Sequence, residues 1–387
     1  MSTKNIAVIG GGPAGFAAAI EAARAGARVT LFEANERVGN TIKLTGDGRC
    51  NIANTTTSPE CYYHKAFVTE AFKTVSPKDA LDFLATTGLL LREESQGRLY
   101  PWANKSTSVI DALRLSAARF GVRETCSSSL RQIKPPRGAQ KAFQLCFADA
   151  STQSFDRVIL ACGAARPLGF LPKELQVVPF EPRLAPMATS TEELKGLDKV
   201  RARCVLRVRD YCELGEVTFR AYGISGIVAF NATRFAVPGD VIELDFLPDF
   251  EPDISLAFLK ERLAKLESAT WLDFTCGMLL PLVARAVLRQ AQLNPELALR
   301  AADLPKFLQA VRGFRLTYRG IGDAKLAQVH RGGICLDQID PARMAIRNIP
   351  GLYAAGEMLD VDGPCGGYNL HWAWCSGLIA GGAAARD

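Results

Sequence analysis

Apolar and small residues near the N-terminus are arranged as a strand, a turn, a helix and a second strand. The apolar run at residues 5–9 is followed by three consecutive glycines and then by an alanine-rich stretch over 16–25 that favours a helix. Gly26 is a natural helix C-cap, and residues 28–33 form the next apolar run. These elements within about 30 residues predict a β-α-β unit.

The spacing of apolar residues changes further along the chain. Residues 77–87 and 107–120 have the spacing of helices, and residues 157–161 form an apolar run typical of a strand. Over 200–247 apolar residues recur at every second position, which predicts antiparallel strands. Helical spacing then follows in three stretches, 255–268, 279–291 and 305–312.

An α/β pattern returns near the C-terminus, with a strand predicted at 351–355 and a loop and a small-residue helix over 366–385. The most apolar stretch, residues 276–284, is expected to be a buried helix or strand. The whole pattern predicts an α/β fold: a nucleotide-binding domain split into residues 1–184 and 326–387, with an inserted β-rich module with helices at 185–325.

The glycine turn carries the first chemical signal, Gly10-x-Gly12-x-x-Gly15. Gly10 permits a tight turn, Gly12 lets the backbone approach a pyrophosphate, and Gly15 allows the helix to pack closely on the strand. Glu33 ends the second strand, where a carboxylate can accept hydrogen bonds from ribose hydroxyls and would repel a 2′-phosphate. Together these features indicate FAD or NAD and disfavour NADP.

A second glycine-rich turn favours FAD over NAD. It spans residues 356–370, between the strand at 351–355 and the C-terminal helix. The positive end of that helix could stabilise negative charge on the N1–C2=O edge of a reduced flavin.

Several motifs resemble those of the bacterial FAD-dependent oxidoreductases called BaiN-like or aminoacetone-oxidase-family proteins, distant relatives of fumarate-reductase flavoproteins. The matching stretches lie at 9–15, 45–54, 97–101, 215–219, 222–226, 350–357 and 359–370. The chain departs from the family at Thr41, where a lysine is usual, and at His371, where glutamine is common. The segment after Gly163 is also shorter than in the family.

The resemblance implies a Rossmann-like FAD-binding domain with an inserted β-rich, barrel-like domain and helices. It also implies that FAD is held by the split domain, in four groups of residues. The pyrophosphate and ribose side comprises Gly10, Gly12, Ala14, Gly15, Glu33 and Ala34, with Leu130 near the adenine. A loop near the isoalloxazine ring comprises Lys43, Thr45, Gly46, Gly48 and Cys50. The ribityl–phosphate region comprises Gly163, Gly356, Glu357 and Asp360, and the pyrimidine edge Gly367, Asn369 and Leu370.

Three residues are candidates for catalysis, each with a structural alternative. His371 and Tyr368 begin the C-terminal helix and could donate a proton, or could simply cap and pack the turn. Arg49 could bind an anionic group of a substrate, or hold its loop through backbone carbonyls.

Composition excludes several classes of protein. The 387 residues suggest two domains or three, and the net charge of +6 does not demand a nucleic-acid partner. We expect no membrane span, no metal site and, because no signal peptide is evident, a cytoplasmic location. The 11 cysteines form no C-x-x-C pair. Four arginines share one strand face, which is either a solvated face or a surface for an anionic substrate or a nucleic acid: Arg201, Arg203, Arg207 and Arg209.

The expected function is that of an FAD-dependent oxidoreductase acting on a small molecule, with the oligomeric state left open. Reduction of a conjugated enone, such as a bile-acid-like diene ketone, is favoured because the family includes such a reductase. No second G-x-G-x-x-G occurs, so NADH or NADPH would dock transiently or another donor would act. The alternatives are an amine oxidase or dehydrogenase using O2 or another acceptor, and a flavin protein that senses or binds RNA.

Overall fold

A computed structural model describes residues 3–138, 140–164, 168–266 and 270–387. The chain divides into two units, unit 1 formed by Met1–Glu181 with Val329–Asp387, and unit 2 formed by Pro182–Gln328. The predicted insertion, 185–325, lies inside unit 2. The shortened segment after Gly163 includes residues 165–167, which lie outside the described part of the chain.

The helices and strands are as follows. The chain begins with β1 (Asn5–Ile9), α1 (Pro13–Arg24), β2 (Arg28–Phe32), α2 (Asn40–Leu44), β3 (Ala53–Asn54), α3 (Lys65–Phe72), α4 (Pro77–Thr86), β4 (Leu91–Glu93), β5 (Arg98–Pro101), α5 (Ser106–Arg119), β6 (Arg123–Thr125), β7 (Leu130–Lys134), β8 (Phe143–Phe147), β9 (Thr152–Phe155), β10 (Arg157–Leu160) and β11 (Val177–Arg183). Unit 2 continues with β12 (Met187–Thr189), β13 (Arg201–Val208), β14 (Tyr211–Arg220), β15 (Gly223–Ser225), α6 (Ile227–Ala232), β16 (Val241–Asp245), α7 (Pro252–Lys265), α8 (Trp271–Thr275), α9 (Pro281–Gln290), α10 (Leu304–Arg312) and β17 (Phe314–Ile321). The chain ends with β18 (Val329–Ile334), β19 (Ile339–Asp340), β20 (Ala345–Ile346), β21 (Leu352–Ala354) and α11 (Tyr368–Arg386).

Unit 1 is built on a seven-stranded sheet with the order β19-β20-β21-β10-β1-β2-β6. The five strands from β21 to β6 are parallel, and β20 and β19 add an antiparallel edge. Since β1, β10 and β21 are adjacent and parallel, their carboxyl ends meet at one edge of the sheet. Gly10, Gly163 and Gly356 follow these ends, and this is the edge at which such sheets bind ligands.

The two long glycine- and alanine-rich helices of unit 1 pack directly on each other. A Cβ atom at Gly377 of α11 would lie 2.5 Å from the carbonyl oxygen of Ala14 in α1, and one at Gly381 would lie 2.3 Å from that of Ala18. Both distances are shorter than any tolerated contact, so the close approach requires glycine. The small-residue composition of the C-terminal helix therefore reflects its packing against α1.

Unit 2 contains a closed barrel with the strand order β12-β15-β14-β13-β16-β17, all paired antiparallel. Buried and more exposed residues alternate along β13, as period-two spacing predicts. Inward side chains such as Leu206, Phe219 and Leu244 are fully buried. These features confirm the predicted α/β fold, with a split Rossmann-like domain and a barrel carrying helices.

One prediction about unit 2 is wrong. Residues 276–284 were expected to form one buried element, but Cys276 is exposed and the helix begins only at Pro281. Gly277 has a left-handed φ of +74°, which a continuous helix or strand does not accommodate. Leu280 is 51% exposed. Proline lacks an amide hydrogen and suits the first position of a helix, so α9 starts there and not at Cys276.

Candidate functional site

The glycine turn between β1 and α1 shows a distinct role for each glycine. Gly10 has a φ of +110°, and a Cβ atom there would lie 2.5 Å from the carbonyl oxygen of Ala161. A Cβ at Gly15 would lie 1.8 Å from the carbonyl oxygen of Gly10. Gly12 differs, because it is extended and the nearest atom to its Cβ position is Oγ1 of Thr41 at 3.3 Å. Gly10 and Gly15 are therefore required by the packing of the backbone, whereas Gly12 leaves open space beside the helix N-terminus.

Glu33 lies at the end of β2 and faces the glycine turn. Its Oε2 accepts a hydrogen bond from the amide of Gly11 at 2.9 Å, and its Oε1 accepts one from the amide of Asn35 at 2.8 Å. The carbonyl of Glu33 accepts from the amide of Ser128, which brings the start of β7, with Leu130, to this end of the sheet. Glu33 and Leu130 are therefore near each other through the backbone, and Ala34 follows directly in the chain.

The second glycine-rich segment meets the first at α1. The amide of Gly356 donates to Oγ of Ser376 at 2.9 Å, and a Cβ at Gly356 would lie 2.8 Å from Cβ of Ala14. A Cβ at Gly163 would lie 3.5 Å from Oε2 of Glu357. The structure thus brings Ala14, Gly163, Gly356 and Glu357, which are far apart in sequence, to one edge of the sheet.

The two carboxylates expected near the ribityl–phosphate region are anchored by β18. Oε1 of Glu357 accepts from the amide of His330 at 2.7 Å. Oδ1 of Asp360 accepts from the amide of Gly332 at 2.7 Å, and its Oδ2 lies 3.1 Å from Nε2 of His64. These contacts fix the positions of both side chains.

A buried ion pair beside these carboxylates was not anticipated from the sequence. Nε of Arg331 donates to Oδ1 of Asp362 at 2.7 Å, and the Asp362 side chain is fully buried. The Arg331 guanidinium also lies 3.7 Å from the ring centroid of Tyr63. Asp362 falls in the family-like stretch over 359–370, but no pattern along the chain connects it with Arg331.

The loop after α2 follows an unusual backbone path. Gly46, Asp47, Gly48 and Cys50 all have left-handed φ values, between 56° and 78°. The amide of Cys50 donates to the carbonyl oxygen of Thr45 at 3.0 Å, which closes the loop. Burial raises the pKa of the Cys50 thiol to about 11, so it stays protonated near neutral pH. We therefore interpret Cys50 as a packing residue of this loop and not as a reactive thiol.

Contacts between the loop and α11 bring the two regions predicted around the flavin ring together. Nδ2 of Asn54 donates to the carbonyl of Gly366 at 2.9 Å, and Nε1 of Trp374 donates to that of Ile52 at 2.9 Å. A Cβ at Gly367 would lie 2.8 Å from Oδ1 of Asn51. Residues 51–54 therefore pack against α11 and the turn before it.

Asn369 shapes the turn that leads into α11. Its Oδ1 accepts from the amide of Gly363 at 2.8 Å, and its Nδ2 donates to the carbonyl of the same residue at 2.9 Å. The hydroxyl of Tyr368 lies 2.9 Å from Oγ1 of Thr56. Leu370 is half-buried beside them. Asn369 therefore holds the turn together through its hydrogen bonds to Gly363, and the ring of Tyr368 packs on the turn.

The contacts of His371 do not suit a proton donor. The side chain is fully buried, Nε2 lies 2.9 Å from the carbonyl oxygen of Pro77, and Nδ1 lies 2.9 Å from Oγ1 of Thr57. Burial lowers the pKa of His371, since it disfavours the charged imidazolium. Both ring nitrogens are engaged by the protein, which favours the packed histidine that the sequence left as an alternative.

Arg49 holds its loop, but through side chains and not through backbone carbonyls. Its Nε donates to Oδ1 of Asn104 at 2.6 Å, and its guanidinium pairs with Glu94. The guanidinium also lies 4.1 Å from the ring centroid of Tyr100. Arg49 is thus already paired with a carboxylate.

Lys43, which was predicted to lie in the same region, is exposed on α2.

The arginines of the barrel are paired with acids. The pairs are Arg201 with Glu216, Arg203 with Asp249, Arg207 with Asp245, and Arg209 with Asp240. This favours a solvated face over a nucleic-acid surface.

Within the ranges that the structure describes, no helix is long and apolar enough to cross a membrane. The same ranges contain no cluster of three His, Cys, Asp or Glu side chains that could hold a metal ion.

The residues at the sheet edge fit FAD. The N-terminus of α1 has no side-chain cap and no acidic residue in its first turn, and Gly12 leaves room beside it for a pyrophosphate. At the other end, Oδ1 of Asn51 is buried next to the N-terminus of α11 and has no hydrogen-bond partner among the described residues. An elongated ligand with a phosphate and a polar ring would satisfy both features.

Comparisons with known proteins identify the family of the chain. A family model described as the HI0933-like protein Rossmann domain matches residues 4–383. The 3-dehydro-bile acid delta(4,6)-reductase of Clostridium scindens is 31% identical and covers 98% of this chain and 99% of its own. The ribosomal RNA dihydrouridine synthase of Escherichia coli is 26% identical and covers 95% of each. The solved 3-ketosteroid-delta4-(5alpha)-dehydrogenase of Rhodococcus jostii, at 15% identity, covers 100% of this chain and 97% of its own with a TM-score of 0.48. The chain belongs to the HI0933-like Rossmann family and is an FAD-dependent oxidoreductase.

Proposed function

We propose that this protein reduces a carbon–carbon double bond conjugated to a carbonyl group in a small, steroid-like molecule, with NADH or NADPH as the electron donor. Its main support is the end-to-end similarity to a Clostridium scindens protein named as a bile-acid delta(4,6)-reductase. In such a reaction a hydride adds to the β-carbon and a proton to the α-carbon, while the nicotinamide is oxidised. FAD, when bound, supplies the hydride chemistry that side chains lack.

The protein residues would position the cofactor and set its charge environment. Gly12 and the N-terminus of α1 would hold the pyrophosphate, and Glu33 the ribose. The N-terminus of α11, capped by Gly367 and without an acidic residue in its first turn, would stabilise negative charge on the pyrimidine edge. Asn369 would keep that helix end in place through its two bonds to Gly363.

Both candidate acids, His371 and Tyr368, are hydrogen-bonded within the protein, and Arg49, the candidate for binding an anionic group, is paired with a carboxylate. His371 is buried with both nitrogens bonded, Tyr368 is bonded to Thr56, and Arg49 is paired with Glu94. We therefore propose that the proton added to the α-carbon comes from water and not from these side chains. Loss of activity in a His371→Gln or Tyr368→Phe variant that still binds FAD would contradict this.

A second candidate function is reduction of uracil in ribosomal RNA. It is favoured by relatives from Escherichia coli and Haemophilus influenzae named as ribosomal RNA dihydrouridine synthases, which match over at least 95% of this chain. The C5=C6 bond of uracil is also conjugated to a carbonyl, so the same hydride addition applies. The paired arginines of the barrel give no support to this candidate.

The test starts with the visible spectrum of the anaerobic protein before and after NADH or NADPH. Bleaching of the flavin followed by reoxidation with a 3-keto-4-ene steroid is the expected result. The matched saturated 3-ketosteroid should not reoxidise it. Reoxidation only by uridine-containing ribosomal RNA, with dihydrouridine found by mass spectrometry, would favour the second candidate. Failure of both nicotinamides to bleach, with bleaching by amines and peroxide release in air, would instead establish an oxidase.

A further inference from the structure

One polar atom at the candidate site has no partner within the described protein. Oδ1 of Asn51 is buried, and no hydrogen bond is made to it. A buried carbonyl without a partner is costly, so such an atom in a ligand site indicates that a ligand donor satisfies it. Asn51 follows directly after the left-handed loop that ends at Cys50.

The surroundings of Asn51 hold it in place. A Cβ at Gly46 would lie 2.7 Å from the amide nitrogen of Asn51, and a Cβ at Gly367 would lie 2.8 Å from its Oδ1. Both neighbours are glycines with left-handed φ values, of 57° and 96°. A side chain at position 46 would displace the backbone of Asn51, and one at position 367 would displace its side-chain oxygen.

Gly367 is also the N-cap of α11, so an acceptor and a set of donors lie side by side. The helix spans 19 residues, its N-terminus has no side-chain cap, and its first turn has no acidic residue. Its first amide groups therefore suit a ligand oxygen, while Oδ1 of Asn51 suits a ligand N–H. A carbonyl next to an N–H is the hydrogen-bonding pattern of a pyrimidine-dione edge.

We infer that Oδ1 of Asn51 accepts a hydrogen bond from N3–H of the isoalloxazine ring of FAD, beside a ring carbonyl oxygen bound by the N-terminus of α11. The inference rests on the flavin position proposed above. N3–H is chosen over N5–H because N5 carries a hydrogen only in the reduced flavin. A permanently buried acceptor needs a donor that is present in both redox states, and N3–H is present in both.

The test compares binding of FAD and of N3-methyl-FAD to the apoprotein by flavin fluorescence. Methylation removes the N3 hydrogen and adds bulk, so the wild-type protein should bind FAD at least about 10-fold more tightly than the analogue. In Asn51→Ala, which removes the acceptor and leaves room for the methyl group, this preference should fall to less than about 3-fold. Asn348→Ala, an exposed asparagine of the same unit, is the control and should keep the wild-type preference.

Two further variants keep the test decisive if alanine at position 51 prevents folding. Asn51→Asp retains an acceptor of the same size and should keep the preference for FAD. Asn51→Leu has a similar volume without an acceptor and should bind unmodified FAD about 10-fold more weakly than the wild-type protein. Equal binding of the two flavins by the wild-type protein, or wild-type affinity for FAD in Asn51→Leu, would overturn the inference. The titration needs no substrate or nicotinamide. It can therefore succeed even if the proposed enone reduction fails.

Discussion

Replacement of Gly12 by valine should yield a folded protein that has lost FAD. Gly12 has φ −88° and ψ −170°, an extended conformation that β-branched residues adopt readily. A Cβ atom there meets only Oγ1 of Thr41, at 3.3 Å, and that is the end of a side chain that can rotate. The added isopropyl group would instead occupy the space beside the N-terminus of α1, where we place the pyrophosphate.

The expected loss of affinity follows from the hydrogen bonds that the helix end would donate. A hydrogen bond to a charged group contributes about 1.5–3 kcal/mol. Two such bonds to the pyrophosphate would therefore contribute roughly 3 kcal/mol or more, which corresponds to at least a ~100-fold weaker binding of FAD. A change of this size converts a protein purified with flavin into a largely colourless one.

Two other glycines provide the controls. Gly15→Ala should not fold at all, because its Cβ would lie 1.8 Å from the backbone oxygen of Gly10. Gly169→Val should behave like the wild-type protein, since Gly169 is exposed and its Cβ position has no neighbour within 4 Å. The three substitutions thus separate a ligand effect, a folding effect and no effect.

The assay is flavin absorbance relative to protein absorbance, with far-ultraviolet circular dichroism and a thermal melt of each purified variant. The reasoning predicts a native spectrum for Gly12→Val with little bound flavin, and recovery of flavin only at high added FAD. Stoichiometric flavin at wild-type affinity in Gly12→Val would refute the assignment of the pyrophosphate site. An unfolded Gly12→Val would refute the claim that this glycine is free of structural constraint.

Three further outcomes are expected. Burial lowers the pKa of His371, so on acidification the imidazole of the unfolded chain is protonated before that of the folded protein. The free energy of unfolding should therefore fall as the pH drops below about 6.5. The thermal melting temperature of His371→Gln should depend less on pH than that of the wild-type protein between about 5 and 7. Arg331→Met leaves the Asp362 carboxylate buried without its cation, so urea unfolding should show a loss of about 3–5 kcal/mol, most of it recovered when Asp362→Leu is added. Cys50, buried with its pKa raised to about 11, should be alkylated far more slowly than the exposed Cys212, as peptide mass spectrometry of partly labelled protein can check; equal labelling rates would contradict this.

Local features of the fold were predictable where the backbone geometry requires a particular residue type or a particular spacing of apolar residues. Gly10 and Gly15 were assigned roles from spacing alone, and the structure shows the close contacts that demand glycine at both. The period-two spacing predicted the alternation along β13 in the same way. The stretch over 276–284 misled, because its composition suggested burial while the left-handed Gly277 and the helix-starting Pro281 decided its path.

Contacts between distant parts of the chain were not predictable in this way. The spacing of motifs could not show that both nitrogens of His371 are taken up by Thr57 and Pro77, which turns a candidate acid into a packed side chain. It could not pair Arg331 with Asp362 either, because their nearness depends on where β18 and the turn before α11 come to lie.

A split α/β domain, a β-rich insertion and a site for FAD or NAD could be predicted from the residues alone. These properties depend on periodicity and on short glycine turns, whose physical constraints act within a few residues. Which polar groups are satisfied by the protein, and which remain for a ligand, depends on how distant segments pack together. Asn51 shows the difference: it has no special spacing, and its buried, unpartnered oxygen arises only when its loop packs against Gly367.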